Sequence, residues 1–196
     1  MYGEPIQALN NALSGMIAHL RMDAQALDSL WISVITFDRE VKELVPLTEL
    51  VHFQLPEITC PRSGPTHTGL GLSILYERTK ADIRLSTITQ KGDWRPLLFL
   101  FTDGKPSDLQ LYRETIPKIK SLSFGAVVAC AAGHLADETL LKELTNTVVH
   151  LSTADSSTLR QFFKWVSDTI ETGNKSQGTG ERVVLPPPPP EINLVL

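Results

Sequence analysis

Thiols are scarce in this chain: two cysteines, Cys60 and Cys130, stand far apart among 196 residues. They match no metal-ligand spacing, so a zinc ribbon and a disulfide scaffold are both excluded, and the expectation is a pair of free thiols in a reducing compartment. Positive charge is not in excess either, with 18 Lys and Arg against 22 Asp and Glu and a net charge of −4. Without a basic run, the clustered charge that nucleic-acid binding needs is absent. No apolar run approaches the length of a membrane span. The opening Met1-Tyr2-Gly3-Glu4-Pro5 has neither a basic n-region nor an apolar h-region, which points to a cytoplasmic protein with no secretory leader in view.

Catalytic constellations are equally thin. The five histidines, at 19, 52, 67, 134 and 150, are scattered, with no pair at ligand spacing on one helix. No Gly-x-Ser-x-Gly elbow occurs, and the glycines after Thr68 lack the Lys-Ser/Thr of a phosphate-binding loop. His67 lies beside these glycines and reads as a solvated loop residue. The expectation is a protein that is not an enzyme. No internal repeat is found.

What the chain does have is Leu97-Leu98-Phe99-Leu100-Phe101-Thr102-Asp103-Gly104. A run that is apolar at every position predicts a strand buried on both faces, as in a parallel sheet. In open α/β sheets, ligands and metals collect outside the carboxyl ends of such strands. Asp103 is therefore placed where such a fold keeps its chemistry.

The surrounding pattern alternates. Ile6, Leu9, Leu13, Ile17 and Leu20 give one helical face, opened by Pro5. Leu30 to Asp38 is β-branched and aromatic, a strand, and Val41 to Leu50, carrying Pro46, suits a short edge strand. Residues 53–65 read as loop. A helix is predicted from Thr68 to Leu85, a polar linker from Ser86 to Arg95, and a strand from Leu97. Ser107-Asp108 then caps a helix that Pro117 kinks or shortens. A strand over Phe124–Ala131, a helix over Asp137–Asn146, a strand over Val148–Leu151 and a last helix from Ser156 complete the order. The buried face of that last helix is expected to carry Leu159, Phe162, Phe163, Val166 and Ile170. The order predicts a sheet with helices on both faces over residues 1–170. Residues 171–196 read as a Gly/Ser spacer followed by the proline run Pro186–Pro190, a solvated polyproline II rod.

Three segments send oxygen ligands toward the same predicted sheet edge: Asp103, the hydroxyls of Thr66-His67-Thr68 at a helix start, and Asp38 at its own strand end. A hard cation such as magnesium takes carboxylate, hydroxyl and water oxygens. Each also has a purely structural reading: Asp-Gly is a common turn, threonine is a good N-cap, and Asp38 suits a surface turn.

Taken together, these segments resemble the von Willebrand factor A domain, and within it the TerY-like proteins encoded in bacterial tellurium-resistance gene clusters. The resemblance runs from Met1 to about Ile170. It rests on Gly3-Glu4-Pro5-Ile6, Ser33-Val34-Ile35-Thr36-Phe37-Asp38, Val45-Pro46-Leu47-Thr48, Thr68-Gly69-Leu70-Gly71, Lys91-Gly92-Asp93-Trp94-Arg95-Pro96 and Thr102-Asp103-Gly104. The proline-rich tail is similar to that subgroup as well.

The resemblance implies a doubly wound, mostly parallel α/β sheet carrying a metal-ion-dependent adhesion site. Thr68 matches the family's threonine and Asp103 its later aspartate, giving Mg2+ two of its ligands. The family's first strand, which is central and ends in Asp-x-Ser-x-Ser, has no counterpart here, and Met1 falls just after that position. An N-terminally truncated domain with an incomplete metal site is the resulting expectation. The function implied is a protein-binding module whose partner supplies a carboxylate to the metal. Kinase- or phosphatase-like proteins of the same gene clusters are the implied partners, in a stress response. The alternatives are a magnesium-dependent phosphoryl-transfer or hydrolytic enzyme using Asp103, or a truncated chain that neither folds stably nor binds metal.

Overall fold

The computed structural model describes residues 1–84, 87, 89–133, 135–175, 185–190 and 192–195, apart from the side chains of 173–175. The described residues form six helices and six strands in a mixed α/β arrangement. In chain order these are α1 (Glu4–Leu20), α2 (Ala24–Ser29), β1 (Trp31–Phe37), β2 (Val41–Glu49), α3 (Thr68–Asp82) and β3 (Leu97–Thr102). There follow α4 (Leu109–Ser121), β4 (Ala126–Ala132), α5 (Glu138–Leu144), β5 (Thr147–Leu151), α6 (Ser156–Lys175) and β6 (Asn193–Leu194).

The strands lie in two groups. β1 and β2 pair antiparallel, while β3, β4 and β5 pair parallel in that order, with β6 antiparallel on the far edge of β5. Among the described residues β1 and β3 each have a strand neighbour on one edge only. β3 is accordingly less buried than β4 despite its unbroken apolar run: Leu97, Leu98 and Phe99 are half-buried, whereas Val128 to Ala132 are buried throughout.

Period-two alternation divides the core between the two sheet faces. Val128 and Cys130 of β4, with Val149 and Leu151 of β5, face a cluster built from α1, α2 and α6. Ala129, Ala131 and Val148 face the opposite cluster, built from α3, α4 and α5. The small residues of β4 let helices approach on both sides. On the first face Phe101 meets Phe162 at 6.0 Å between centroids, and Phe162 meets Phe163 edge-on at 5.1 Å. Burying each such ring contributes about 1.5–3 kcal/mol relative to leaving it in water.

Local sequence explains most boundaries. Gly3 sits at φ 85°, a conformation open to glycine, and turns the chain into α1 with Pro5 in its first turn. Asp155 accepts from the backbone N–H groups of Ser157 and Thr158 at 2.8 and 2.9 Å as α6 begins. The Thr153 hydroxyl and these N–H donors hold its carboxyl down at about 2.

Several expectations change. α2 was not anticipated: it is a six-residue helix with one buried side chain, Ala26, started by Asp23 accepting from the Ala26 N–H. α3 ends at Asp82 rather than 85; Leu85 and Ser86 lie outside the described residues. Pro117 does not end α4, which continues to Ser121. β2 is nine residues long and tolerates Pro46 because, among the described residues, its outer edge has no partner strand.

The largest change is at the C-terminus. α6 runs through residue 171 to Lys175, so the helix crosses the predicted start of the spacer. The described part of the tail is not a solvated rod. Ile192 is 3% exposed within the core, Asn193–Leu194 pairs with β5, and the Trp165 indole N–H donates to the Pro186 carbonyl at 2.9 Å. The strand propensity of Ile-Asn-Leu-Val beside the open edge of β5 overrides the extended, solvated preference of the prolines before it.

Candidate functional site

The carboxyl ends of β1 and β3 and the start of α3 form one edge. Hydrogen bonds tie the three together. The His67 N–H donates to the Asp38 carbonyl at 3.0 Å, and His67 Nδ1 lies 3.0 Å from the Arg39 carbonyl. The Ser107 N–H donates to the Thr66 carbonyl at 2.8 Å, while the Thr66 N–H donates back to the Ser107 hydroxyl at 2.9 Å. The turn after β3 is closed by Thr102, whose hydroxyl bonds both the carbonyl and the N–H of Gly104.

Thr68 opens α3 and is 1% exposed. Its hydroxyl oxygen is buried and has no hydrogen-bond partner. The N-cap reading is therefore not what the geometry displays: the cap position is His67, whose side chain makes no capping bond, and the Thr68 hydroxyl caps nothing. A buried hydroxyl left unsatisfied costs about 1–3 kcal/mol, which a ligand bound at this position would offset.

Asp103 stands at the end of β3 with its side chain 41% exposed. Its Oδ2 is ion-paired with the α-ammonium of Met1. Burial pulls the amine's pKa down, but the bond and charge of Asp103, helped by Cys60, outweigh it and leave the value above the ordinary 8.0. A cation is thus already held against this carboxylate.

Asp38 serves locally: its Oδ1 accepts from the Glu40 N–H at 2.8 Å across the β1–β2 turn. This is the turn role that its sequence context also allows.

Asp108, expected only as a cap for α4, reaches across to α3. Its two oxygens accept from the N–H groups of Gly69 and Leu70 at 3.0 and 2.8 Å, filling donors at the start of α3. The approach depends on Gly69, where a Cβ would stand 2.8 Å from the Tyr112 Cα and closer still to its nitrogen. Gly71 similarly abuts Phe37, with a Cβ meeting its ring at 3.3 Å. The Gly-x-Gly spacing was visible in the sequence; that it seats α3 on α4 and β1 was not.

The donor set at this edge is one partly exposed carboxylate and one orphaned buried hydroxyl, with the Thr66 hydroxyl beside Gly104. Its chemistry suits a hard cation that retains several waters. Among the described residues no three His, Cys, Asp or Glu side chains cluster as a protein cage for a metal would require. The fit is to part of a coordination shell. No helix among the described residues is long and apolar enough to cross a membrane.

No protein-family model and no curated protein matches the chain. Among solved structures it is similar to proximal thread matrix protein 1 from the mussel byssus, with a TM-score of 0.61 and 21% identity over 84% of this chain. A second crystal form of that protein gives a TM-score of 0.56 at the same 21% identity. The chain spans 42% of the mussel protein's length. At this identity the likeness is one of fold alone: the chain shares with that protein a mixed α/β fold containing parallel strands and helices.

Proposed function

We propose that this chain is a non-enzymatic protein-binding module of the von Willebrand A type, cytoplasmic, with a metal-ion-dependent adhesion-type site at Thr68 and Asp103. The observation that carries the proposal is the Thr68 hydroxyl: buried, unpartnered and at the same edge as the Asp103 carboxylate. Support for the fold comes from the mussel neighbour, itself of von Willebrand A-like fold, and from helices packed against both faces of the strands. On this reading the sheet is doubly wound, and a further strand belongs between β1 and β3, each of which has one edge without a strand neighbour among the described residues.

Mg2+ is the cation that this oxygen set favours. Thr68 would give a hydroxyl and Asp103 a carboxylate oxygen, directly or through water. A cation held there would offer a Lewis-acidic position to a carboxylate of the partner protein. Asp103 could serve a metal only by giving up its pair with the Met1 ammonium. By resemblance, the partners are kinase- or phosphatase-like proteins of a tellurium-resistance or stress-response gene cluster.

Calorimetric titration of the chain with MgCl2 and MnCl2 tests the site. Saturable uptake by the wild type, lost in Asp103→Ala and in Thr68→Val while both retain the wild-type circular dichroism, is the expected result. Absence of uptake by the wild type overturns the metal reading for this chain. Turnover of a phosphate ester that disappears in Asp103→Ala would instead establish the enzymatic alternative.

A further inference from the structure

A second surface lies at the far edge of the sheet, away from Asp103 and Thr68. The last described residues of the chain lie across it. Trp165, 3% exposed, donates its indole N–H to the Pro186 carbonyl at 2.9 Å. Leu185 and Ile192 pack into the cluster on the α6 face, and Val195 packs against the cluster on the opposite face, so the segment straddles the edge. Between these anchors Asn193 and Leu194 pair with His150 and Val149, and the Val195 N–H donates to the Val148 carbonyl at 2.9 Å.

These are the elements of two peptide-recognition modes joined in one surface: an indole donor beside a proline run, and an open strand edge that accepts an added strand. The specificity follows from the spacing. A proline carbonyl must reach Trp165 while an apolar residue six positions on, here Ile192, fills the core. The groove beside the segment is lined by Lys142, Asn146, Thr147 and Trp165 on the domain side and by Leu185 and Pro186–Pro188 on the tail side.

We propose that the β5 edge and Trp165 form a docking site for a proline run followed by a short apolar strand, that residues 185–190 and 192–195 are its resident ligand, and that the same segment of a second copy can take their place. The contacts are noncovalent and few, and proline contributes no N–H to a ladder, so the strand pairing is confined to the last residues. The cis segment wins by effective concentration, not by a unique fit. Two copies exchanging tails form a symmetric pair in which each fills the other's site.

The test uses full-length chains and a fluorescent peptide of sequence Leu-Pro-Pro-Pro-Pro-Pro-Glu-Ile-Asn-Leu-Val-Leu, read by anisotropy. Ile192→Ser removes the buried anchor of the resident segment, and Val195→Pro removes the N–H that bonds Val148. Either variant is expected to take up the peptide at least about tenfold more tightly than the wild type, because the competitor in cis is weakened. Adding Trp165→Phe to either is expected to reverse that gain. Ile192 lies in the core, so Val195→Pro, at the chain's end, serves if Ile192→Ser does not fold. A folded Val195→Pro chain that binds the peptide no better than the wild type overturns the proposal, as does uptake indifferent to Trp165→Phe.

Discussion

The α-ammonium of Met1 is ion-paired with Oδ2 of Asp103, at the edge where Thr68 leaves its hydroxyl unpartnered. One carboxylate therefore has two cationic claimants, the amine and any metal ion.

The first prediction concerns pH. The folded-state pKa of the amine lies above its ordinary 8.0, so the pair contributes stability that is fully present below pH 8 and lost as pH rises through the folded value. Thermal unfolding followed from pH 7 to pH 10 should show a decline that the N-acetylated chain lacks. The same titration frees Asp103, so Mg2+ affinity should rise over this range and should be higher, and flat with pH, in the acetylated chain. Identical profiles for the two chains would remove the ion pair from the account.

Thr68→Val separates a site from a structural hydroxyl. The substitution keeps the shape and removes an unsatisfied buried oxygen, so the chain should become more stable by up to about 1 kcal/mol, read by urea unfolding. Mg2+ uptake should be lost in the same variant. Destabilisation instead would mean that the hydroxyl has a structural partner.

Gly69→Ala addresses how α3 is seated. The added methyl meets the backbone of Tyr112 and Leu111, where no flexible side chain can give way, and overpacking of this kind costs about 1–3 kcal/mol. The variant should unfold earlier in urea, and its Mg2+ affinity should fall because Thr68 moves with the helix start.

Tyr112 is fully buried and its hydroxyl donates to the Leu140 carbonyl at 2.8 Å. Tyr112→Phe should cost about 1 kcal/mol and leave metal uptake unchanged. Burial pushes the phenol well above its ordinary 10.0, with the Glu143 and Asp137 carboxylates adding to the shift. The unfolded state ionises first, so stability should fall as pH rises past 10. Absorbance titration should show Tyr112 resisting ionisation until the chain unfolds.

Much of the fold was legible because its signals are local. The apolar run into Asp103, the β-branched stretch of β1 and the helical spacing of Leu159, Phe162, Phe163, Val166 and Ile170 each point to one element type, and the elements form there. Of the site, Thr68 and Asp103 could be placed at one edge, since strand ends and helix starts gather there in any open α/β sheet. What escaped was tertiary. Asp108 looks like the cap of its own helix, but its oxygens go to the neighbouring one, a choice set by how closely Gly69 lets α3 approach. The proline run reads as solvent-exposed because its composition says nothing about Trp165, which lies on a helix 21 residues before Pro186.

The two cysteines now differ in a useful way. Cys130 is 0% exposed at the centre of β4, and burial raises its thiol well above the ordinary value, so alkylating reagents should not reach it in the folded chain. Cys60 is half-buried and lies close enough to the Met1 ammonium to influence its charge. A maleimide dye should therefore attach at a single position, beside the pair formed by Met1 and Asp103. The molecule carries its own labelling handle for that edge, and displacement of the amine could be followed optically without engineering a new residue.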